Sequence, residues 1–149
     1  LKFSSDFIIG YPGETTDDYQ QTEKLMKDVK FVNSFSFVFS GRPGTPAFNL
    51  KKIDPLVAKK RLIGFQSIAE EIKTKYRRSL INNTSKVLFE NKVKNENKYF
   101  GRDEYFNSVI VNNSENLVGE IKSVRIKSGN HNTMYGEISS ELDQNNHAA

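Results

Sequence analysis

Residues 6–20 read DFIIGYPGETTDDYQ, an apolar run that stops at a glycine- and proline-rich turn and continues into a helix-like segment. Its aromatic and β-branched residues, followed directly by Gly10, predict a short buried strand. Thr15 or Thr16 can cap the helix that follows, whose acidic first turn meets the positive end of the helix dipole. The stretch therefore predicts a strand joined to a helix by a tight turn.

After this helix the apolar pattern changes to a period of two. Phe35, Phe37 and Phe39 alternate with small or β-branched residues, which predicts a strand with one aromatic face. A strand, a helix and a second strand joined by short loops are typical of a crossover unit in a parallel sheet. Two strands cannot close a core, so we expect the remaining strands to come from other residues. Because the chain begins at Leu1 and runs at once into an apolar segment, we also expect a fragment cut inside a domain.

A long basic helix is predicted next. Asp54 and Pro55 form a helix start, since aspartate caps well and proline is tolerated at the first helical position. Apolar residues then recur at helical spacing for about six turns, at Leu62, Phe65, Ala69, Ile72 and Tyr76.

The composition changes near Ile81 to short strands separated by asparagine-rich turns. Four strands are predicted, at residues 86–89, 108–111, 123–127 and 134–138, which is typical of a small antiparallel β-barrel. The sequence thus predicts an α/β segment over 1–81, a barrel over 82–142 and a disordered tail over 143–149.

Composition excludes several kinds of site. The 149 residues contain no cysteine, so this chain alone supplies no disulfide, thiolate zinc site, catalytic thiol or cysteine-ligated iron–sulfur cluster. No apolar run approaches ~20 residues and no secretory signal opens the chain, so we expect a cytoplasmic protein without a membrane segment. His131 and His147 lack partners at metal or triad spacing and are expected to be exposed.

Positive charge is concentrated in the middle of the chain. The formal charge is +4, but residues 51–81 alone hold nine basic and three acidic residues. This pattern points to an acidic partner such as nucleic acid, although an ordinary solvated helix face explains the charge equally well.

Two loops are candidate binding elements. Gly10 to Glu14 leaves the first strand at its carboxyl end, where parallel sheets bind small molecules, and Arg42 follows the second strand at the same end. Glycines permit close backbone approach, and arginine can hold a carboxylate or phosphate. A tight turn with a first-turn carboxylate, and an exit loop with a surface arginine, remain the alternatives.

Read together, the phrases GYPGET (residues 10–15) and RPGTPA (residues 42–47), with the basic helix and the barrel, resemble the C-terminal part of bacterial methylthiotransferases. The resemblance implies the last strands of a partial parallel (βα)6 barrel, the radical S-adenosylmethionine core, followed by an OB-like TRAM barrel. Arg42 and Pro43 are typical of the branch that acts on tRNA adenosine.

The resemblance also implies a reaction. The complete enzymes methylthiolate C2 of N6-isopentenyladenosine beside the tRNA anticodon, using S-adenosylmethionine and two [4Fe–4S] clusters. Since the cluster cysteines are absent here, they are expected upstream, in N-terminal domains of the same polypeptide, and the fragment alone is expected to be an inactive monomer. The residues expected to bind the cofactor are Gly10, Gly13, Glu14 and Arg42.

For the barrel, the resemblance implies contacts with the anticodon stem-loop of tRNA. We expect phosphate contacts from Lys86, Arg102, Lys122, Arg125 and Lys127, and base stacking on Tyr99 and Phe100, with Tyr105 and Phe106 nearby. These aromatics can equally form the barrel core. A non-catalytic RNA-binding module and a ribosomal-protein methylthiotransferase relative remain the alternative functions.

Overall fold

The computed structural model describes residues 1–94, 96–130 and 132–139. The chain forms two compact units, Leu1–Thr74 and Lys75–Ala149. The predicted boundary near Ile81 stays a prediction, and both histidines and residues 143–149 lie outside the described residues. Within the described part, no helix is long and apolar enough to span a bilayer.

The first unit is the predicted strand, helix and strand. Strand β1 (Ser4–Ile9) pairs in parallel with β2 (Asn33–Val38), and α1 (Thr16–Val29) connects them. A 3-10 turn (Pro46–Asn49) and helix α2 (Pro55–Ser79) follow, the latter continuing across the unit boundary. The parallel pairing is thus confirmed. Two strands are described in this unit, so the partial (βα)6 barrel itself stays a prediction.

Both helices start at the predicted caps. Thr15 accepts a hydrogen bond from the Asp18 backbone N–H, and the Asp18 carboxylate accepts one from the Thr15 backbone N–H, which forms a capping box. In α2, the Asp54 carboxylate accepts from the backbone N–H of Leu56 at 2.7 Å. These local signals were readable from the sequence because each involves residues at most three positions apart.

One face of the two-stranded sheet packs on the helices and the other is exposed. The core joins Phe7 and Ile9 of β1 to Met26 of α1 and Phe65 of α2, with the Phe7 and Phe65 ring centroids 4.8 Å apart. Side chains alternate along a strand, so the opposite face carries the apolar residues left exposed, namely Ile8, Phe35 and Phe37.

The second unit contains a closed five-stranded barrel. Its strands are β3 (Thr84–Lys92), β4 (Lys98–Asp103), β5 (Ser108–Asn112), β6 (Ile121–Gly129) and β7 (Thr133–Ile138). Neighbours follow the order β3-β4-β5-β7-β6, and β6 pairs again with β3. The predicted barrel is confirmed, and its core is apolar, formed chiefly by Val87, Phe89, Tyr99, Val109, Val111, Leu117, Val124, Ile126 and Met134.

Two predictions about the barrel were wrong. The sheet is not purely antiparallel, because β5 and β7 pair in parallel with Ser108 opposite Thr133. Strand β4 was also missed, since charged residues and Gly101 interrupt its apolar alternation. The glycine is required there, because a Cβ would overlap the carbonyl oxygen of Leu88 on the neighbouring strand.

Candidate functional site

The loops that leave β1 and β2 both contain an X-Pro-Gly-X turn. In the first, the Glu14 N–H donates to the Tyr11 carbonyl at 2.9 Å, and Gly13 has φ +89°. In the second, the Thr45 N–H donates to the Arg42 carbonyl at 3.2 Å, and Gly44 has φ +84°. Proline at the second position of the four-residue turn and a residue with positive φ at the third position are typical of a type II turn. Both loops are therefore preformed at one edge of the sheet.

The Glu14 carboxylate is held inside its own unit. One oxygen accepts the Gly10 N–H at 2.8 Å, and the other accepts from Arg61 of α2 at 2.7 Å. Arg61 also donates to the Glu14 backbone carbonyl at 3.0 Å and to the Thr16 hydroxyl at 3.3 Å. Both carboxylate oxygens are thus engaged, and the carboxylate fixes the shape of the loop.

Tyr19 completes this arrangement. Its hydroxyl donates to the Arg61 carbonyl at 2.9 Å, and the Arg61 guanidinium lies 5.5 Å from its ring centroid. Burial, followed by a hydrogen bond with Glu23, raises the pKa of the Tyr19 phenol. The phenol therefore stays protonated and able to donate at physiological pH. The sequence did not reveal Arg61, which lies 47 positions from Glu14.

A groove of about 600 Å³ lies at the carboxyl ends of β1 and β2. Ile8 and Phe37, which face each other in the parallel ladder, form its apolar floor. Arg42 is exposed at the groove, and Thr45 fixes its backbone through a 2.7 Å hydrogen bond from the side-chain hydroxyl. Beside it, the rings of Tyr11 and Phe39 meet edge to face at 5.0 Å and join the two loops. Arg42 and the glycine loop thus lie at the same sheet edge.

On the barrel, outward side chains form continuous rows across neighbouring strands. Phe100 lies opposite Ile110 on β5, which lies opposite Tyr135 on β7. Partners in a ladder share a face, and the flanking side chains belong to the core, namely Tyr99, Val109, Val111 and Met134. We call this row the aromatic row. It lies on the outer surface, with Tyr135 39% exposed.

A second outer row runs beside the aromatic row. Arg102 lies between Leu88 of β3 and Ser108 of β5, with its guanidinium 5.5 Å from the Phe100 ring. Arg102 also forms a 3.2 Å ion pair with Glu90. Lys98, on β4 at the other side of the aromatic row, pairs with Glu96.

The other predicted RNA-binding residues are distributed differently. Tyr99 is 3% exposed and belongs to the barrel core, so its ring offers no face to a base. Lys122 and Lys127 form ion pairs with Glu120 and Glu137, at 2.6 and 3.1 Å. Within the described residues, no carboxylate forms an ion pair with Lys86 or Arg125.

The turn between β4 and β5 presents Phe106 to solvent. The buried Asp103 carboxylate accepts the backbone N–H groups of Tyr105 and Asn107 and the Asn107 side-chain amide, at 2.8–2.9 Å. Phe106 has φ +62° and is 72% exposed. A bulky residue at positive φ is uncommon, and the Asp103 hydrogen bonds hold it there.

No protein-family profile matches the chain. A protein of Pelagibacter ubique named tRNA-2-methylthio-N(6)-dimethylallyladenosine synthase is 44% identical over 138 residues, which span 93% of this chain and 31% of that protein. Proteins of the same name from Herminiimonas arsenicoxydans and Wolbachia pipientis are 37% and 36% identical, again over about a third of their length. The resemblance to methylthiotransferases is confirmed. Nearly the whole of this chain is homologous to a segment that makes up about one third of the length of each protein named tRNA-2-methylthio-N(6)-dimethylallyladenosine synthase.

Proposed function

We propose that this chain is the tRNA-facing part of an enzyme that methylthiolates C2 of N6-dimethylallyladenosine in tRNA. The sequence similarity supports this directly, since it covers 93% of the chain at 44% identity. RPGTPA at residues 42–47 supports the tRNA branch through its resemblance. Because tRNA is the substrate in this proposal, the protein works in the cytoplasm.

In this proposal, the first unit is the end of a partial (βα)6 barrel and its loops line the S-adenosylmethionine site. When bound, S-adenosylmethionine would supply the methyl group and, after one-electron reduction by a [4Fe–4S] cluster held outside this chain, the radical that oxidises the substrate. Gly10 and Gly13, both at positive φ, let the loop backbone approach the cofactor closely. Arg42, at the same end of the two strands, is free to meet a carboxylate of the cofactor or a phosphate of the substrate. Glu14 supports the site by holding the loop, because Gly10 and Arg61 already engage its carboxylate.

The two [4Fe–4S] clusters are ligated outside this chain in the proposal. The sequence has no cysteine, and the described residues contain no cluster of three His, Asp or Glu that could hold a metal. The N-terminal domains of the same polypeptide are therefore its necessary partners, and the 149-residue chain alone is catalytically inactive.

The barrel binds the anticodon stem-loop of tRNA through the aromatic row. This row is the observation that carries the proposal, because the half-buried Phe100 and Ile110 and the exposed Tyr135 lie side by side on the outer surface, with Arg102 alongside. The strand order, with one parallel pair, supports an OB-like barrel, whose second and third strands bind oligonucleotides. Lys86 and Arg125 contact phosphates. Arg102, Lys122 and Lys127 form exposed ion pairs with glutamates, and because such pairs contribute little to stability, these three residues can bind phosphates instead.

Fluorescence anisotropy with a labelled anticodon stem-loop tests the RNA surface. Stacking contributes ~1–3 kcal/mol per base, so F100A/Y135A is expected to weaken binding by roughly 30-fold or more. F106A is the matched control, since Phe106 is an exposed aromatic in the same unit but outside the aromatic row. K86A and R125A should each lower the salt dependence of binding by about one phosphate contact. Loss of binding in F106A alone would instead place the RNA at the β4–β5 turn.

A chimera tests the catalytic role. This chain replaces the homologous third of the Pelagibacter ubique protein, and the tRNA nucleosides of a strain lacking its own enzyme are analysed by mass spectrometry. The proposal expects 2-methylthio-N6-dimethylallyladenosine to reappear. A chimera that binds tRNA but leaves it unmodified would favour a non-catalytic RNA-binding module, which the separate closed barrel also permits. Modification of a ribosomal protein would favour the other branch.

A further inference from the structure

The groove at the carboxyl ends of β1 and β2 is apolar at its floor and positive at its rim. Ile8 and Phe37 are 61% and 57% exposed, side by side, on the face that does not pack on the helices. Ala47 continues the apolar lining beyond β2. Of the described residues that line the groove, Arg42 alone is charged. A groove of this volume and composition suits a nucleotide-sized ligand with one apolar end and one anionic end.

We propose that this groove recognises the N6-dimethylallyl group of the substrate adenosine, with Arg42 binding an adjacent phosphate. The inference rests on the proposed function and identifies how the enzyme distinguishes prenylated from unprenylated tRNA. The dimethylallyl group covers Ile8 and Phe37, which water otherwise surrounds, and its transfer out of water drives binding.

The type II turn holds Arg42 where this recognition needs it. The Thr45 N–H and hydroxyl both donate to the Arg42 carbonyl, at 3.2 and 2.7 Å, so the arginine backbone is fixed while its side chain extends into solvent. A guanidinium binds a phosphate through two parallel hydrogen bonds. The neighbouring Phe39 is itself fixed by its edge-to-face contact with Tyr11. The Arg42 backbone and the Phe39 ring therefore lose little freedom on binding, which favours affinity.

The charge of the groove argues for the nucleotide over S-adenosylmethionine as its occupant. S-Adenosylmethionine has a net positive charge, because its ammonium and sulfonium groups outweigh its carboxylate, whereas a nucleotide phosphate is negative, so the guanidinium of Arg42 favours the nucleotide. A prenylated nucleotide combines an apolar group with a negative one, as the groove requires. The relatives' name includes dimethylallyladenosine, so the ligand chemistry matches a molecule that they are named for.

Nuclear magnetic resonance titration of the 149-residue chain tests the proposal. The ligands are dimethylallyladenosine 5′-monophosphate, adenosine 5′-monophosphate, dimethylallyladenosine and S-adenosylmethionine, and the signals followed are the methyl groups of Ile8 and Ala47. The prenylated nucleotide is expected to saturate these shifts at a concentration at least about tenfold below that of adenosine monophosphate, since each buried CH₂ favours binding.

Two variants separate the two halves of the groove. F37S is expected to abolish the preference for the prenylated nucleotide, whereas F35S retains it. Phe35 lies on the same strand and face and is 59% exposed, but it does not line the groove. R42Q is expected to equalise the affinities of dimethylallyladenosine and its monophosphate while preserving the prenyl preference. Because the replaced side chains are exposed, all three variants should keep the fold.

Three results would overturn the inference: equal affinity for prenylated and unprenylated nucleotides, equal loss in F35S and F37S, or S-adenosylmethionine saturating the same methyl shifts at the lowest concentration. The last would assign the groove to the cofactor and leave the proposed function standing. Conversely, prenyl-selective shifts together with an inactive chimera would reject methylthiolation but retain the nucleotide groove. The proposed function and the proposed nucleotide groove can therefore each be rejected without rejecting the other.

Discussion

The guanidinium of Arg61 lies 2.7 Å from the carboxylate of Glu14, and their side chains are only 12% and 11% exposed. This ion pair fastens the loop after β1 to helix α2, two parts of the chain that are distant in sequence. Because the same carboxylate also accepts the Gly10 N–H, loop shape and helix position are linked through one side chain.

Breaking this pair is expected to destabilise the first unit strongly. R61A leaves the Glu14 carboxylate buried without its cation, which typically costs about 3 kcal/mol or more. Urea unfolding followed by residue-specific signals of the first unit measures the loss. K24A is the control, because Lys24 forms an exposed ion pair with Asp28 and should change the unfolding free energy by less than about 1 kcal/mol. Similar losses in the two variants would contradict the structural role of Arg61.

The capping box predicts an acid-sensitive start of α1. Hydrogen bonds from Thr15, with the side-chain hydroxyl contributing most, lower the pKa of Asp18 below the ordinary value for an aspartate. A lowered folded-state pKa stabilises the helix start at neutral pH, and this stabilisation is lost as the pH falls below about 4 through the folded-state pKa. T15A should shift the pKa of Asp18 upward, while T15S retains the hydroxyl and the low value. Carboxyl carbon shifts recorded against pH measure the effect; an unchanged value in T15A would contradict it.

The Asp103 hydrogen bonds are expected to stabilise the β4–β5 turn. D103A leaves three donors, the N–H groups of Tyr105 and Asn107 and the Asn107 amide, without their acceptor. Each unsatisfied buried donor costs about 1–3 kcal/mol, so the second unit should lose roughly 3 kcal/mol or more in urea unfolding. E104A, next in sequence and exposed, should stay within about 0.5 kcal/mol of the parent. Equal stability of D103A and E104A would show that the turn does not depend on this carboxylate.

The two units should differ in amide hydrogen exchange. In the described residues β1 and β2 each have one unpaired edge, whereas every barrel strand has two neighbours. A two-stranded sheet is marginal in water, so its amides are expected to exchange at least about tenfold faster than those of Val87, Val109 and Val124. Uniformly slow exchange from Phe3 to Phe39 would contradict this prediction.

The sequence predicted those features that depend on neighbouring residues. Thr15, Asp54 and the apolar periodicity of α2 are local signals, and the structure contains all of them. Strand β4 was missed because the sequence gives no reason for a glycine in a strand. The reason is the close approach of Gly101 to Leu88, which is known only once the two strands are paired. The parallel pairing of β5 and β7 likewise depends on which distant strands meet.

The candidate sites were predictable to a similar extent. The turn glycines and Arg42 could be identified from Pro-Gly phrases, because a type II turn is encoded by four consecutive residues. Arg61 could not, since nothing near Glu14 in sequence indicates it. Adjacent aromatics Tyr99 and Phe100 looked equivalent, yet one lies in the core and the other on the surface. Tyr135 joined the candidate surface only once the strand register placed it beside Ile110.

Closure of the barrel has a consequence for how the protein is made. Strand β3 needs β6, with Thr84 opposite Arg125, and β5 needs β7, with Ser108 opposite Thr133. During synthesis, β3 and β5 therefore remain incompletely paired until β6 and β7 have emerged from the ribosome. Pairings this distant in sequence form slowly, because a long loop must close before they are gained. The aromatic row, which includes a residue of β7, is assembled only at that final step, so the surface proposed to bind RNA and the finished barrel arise together.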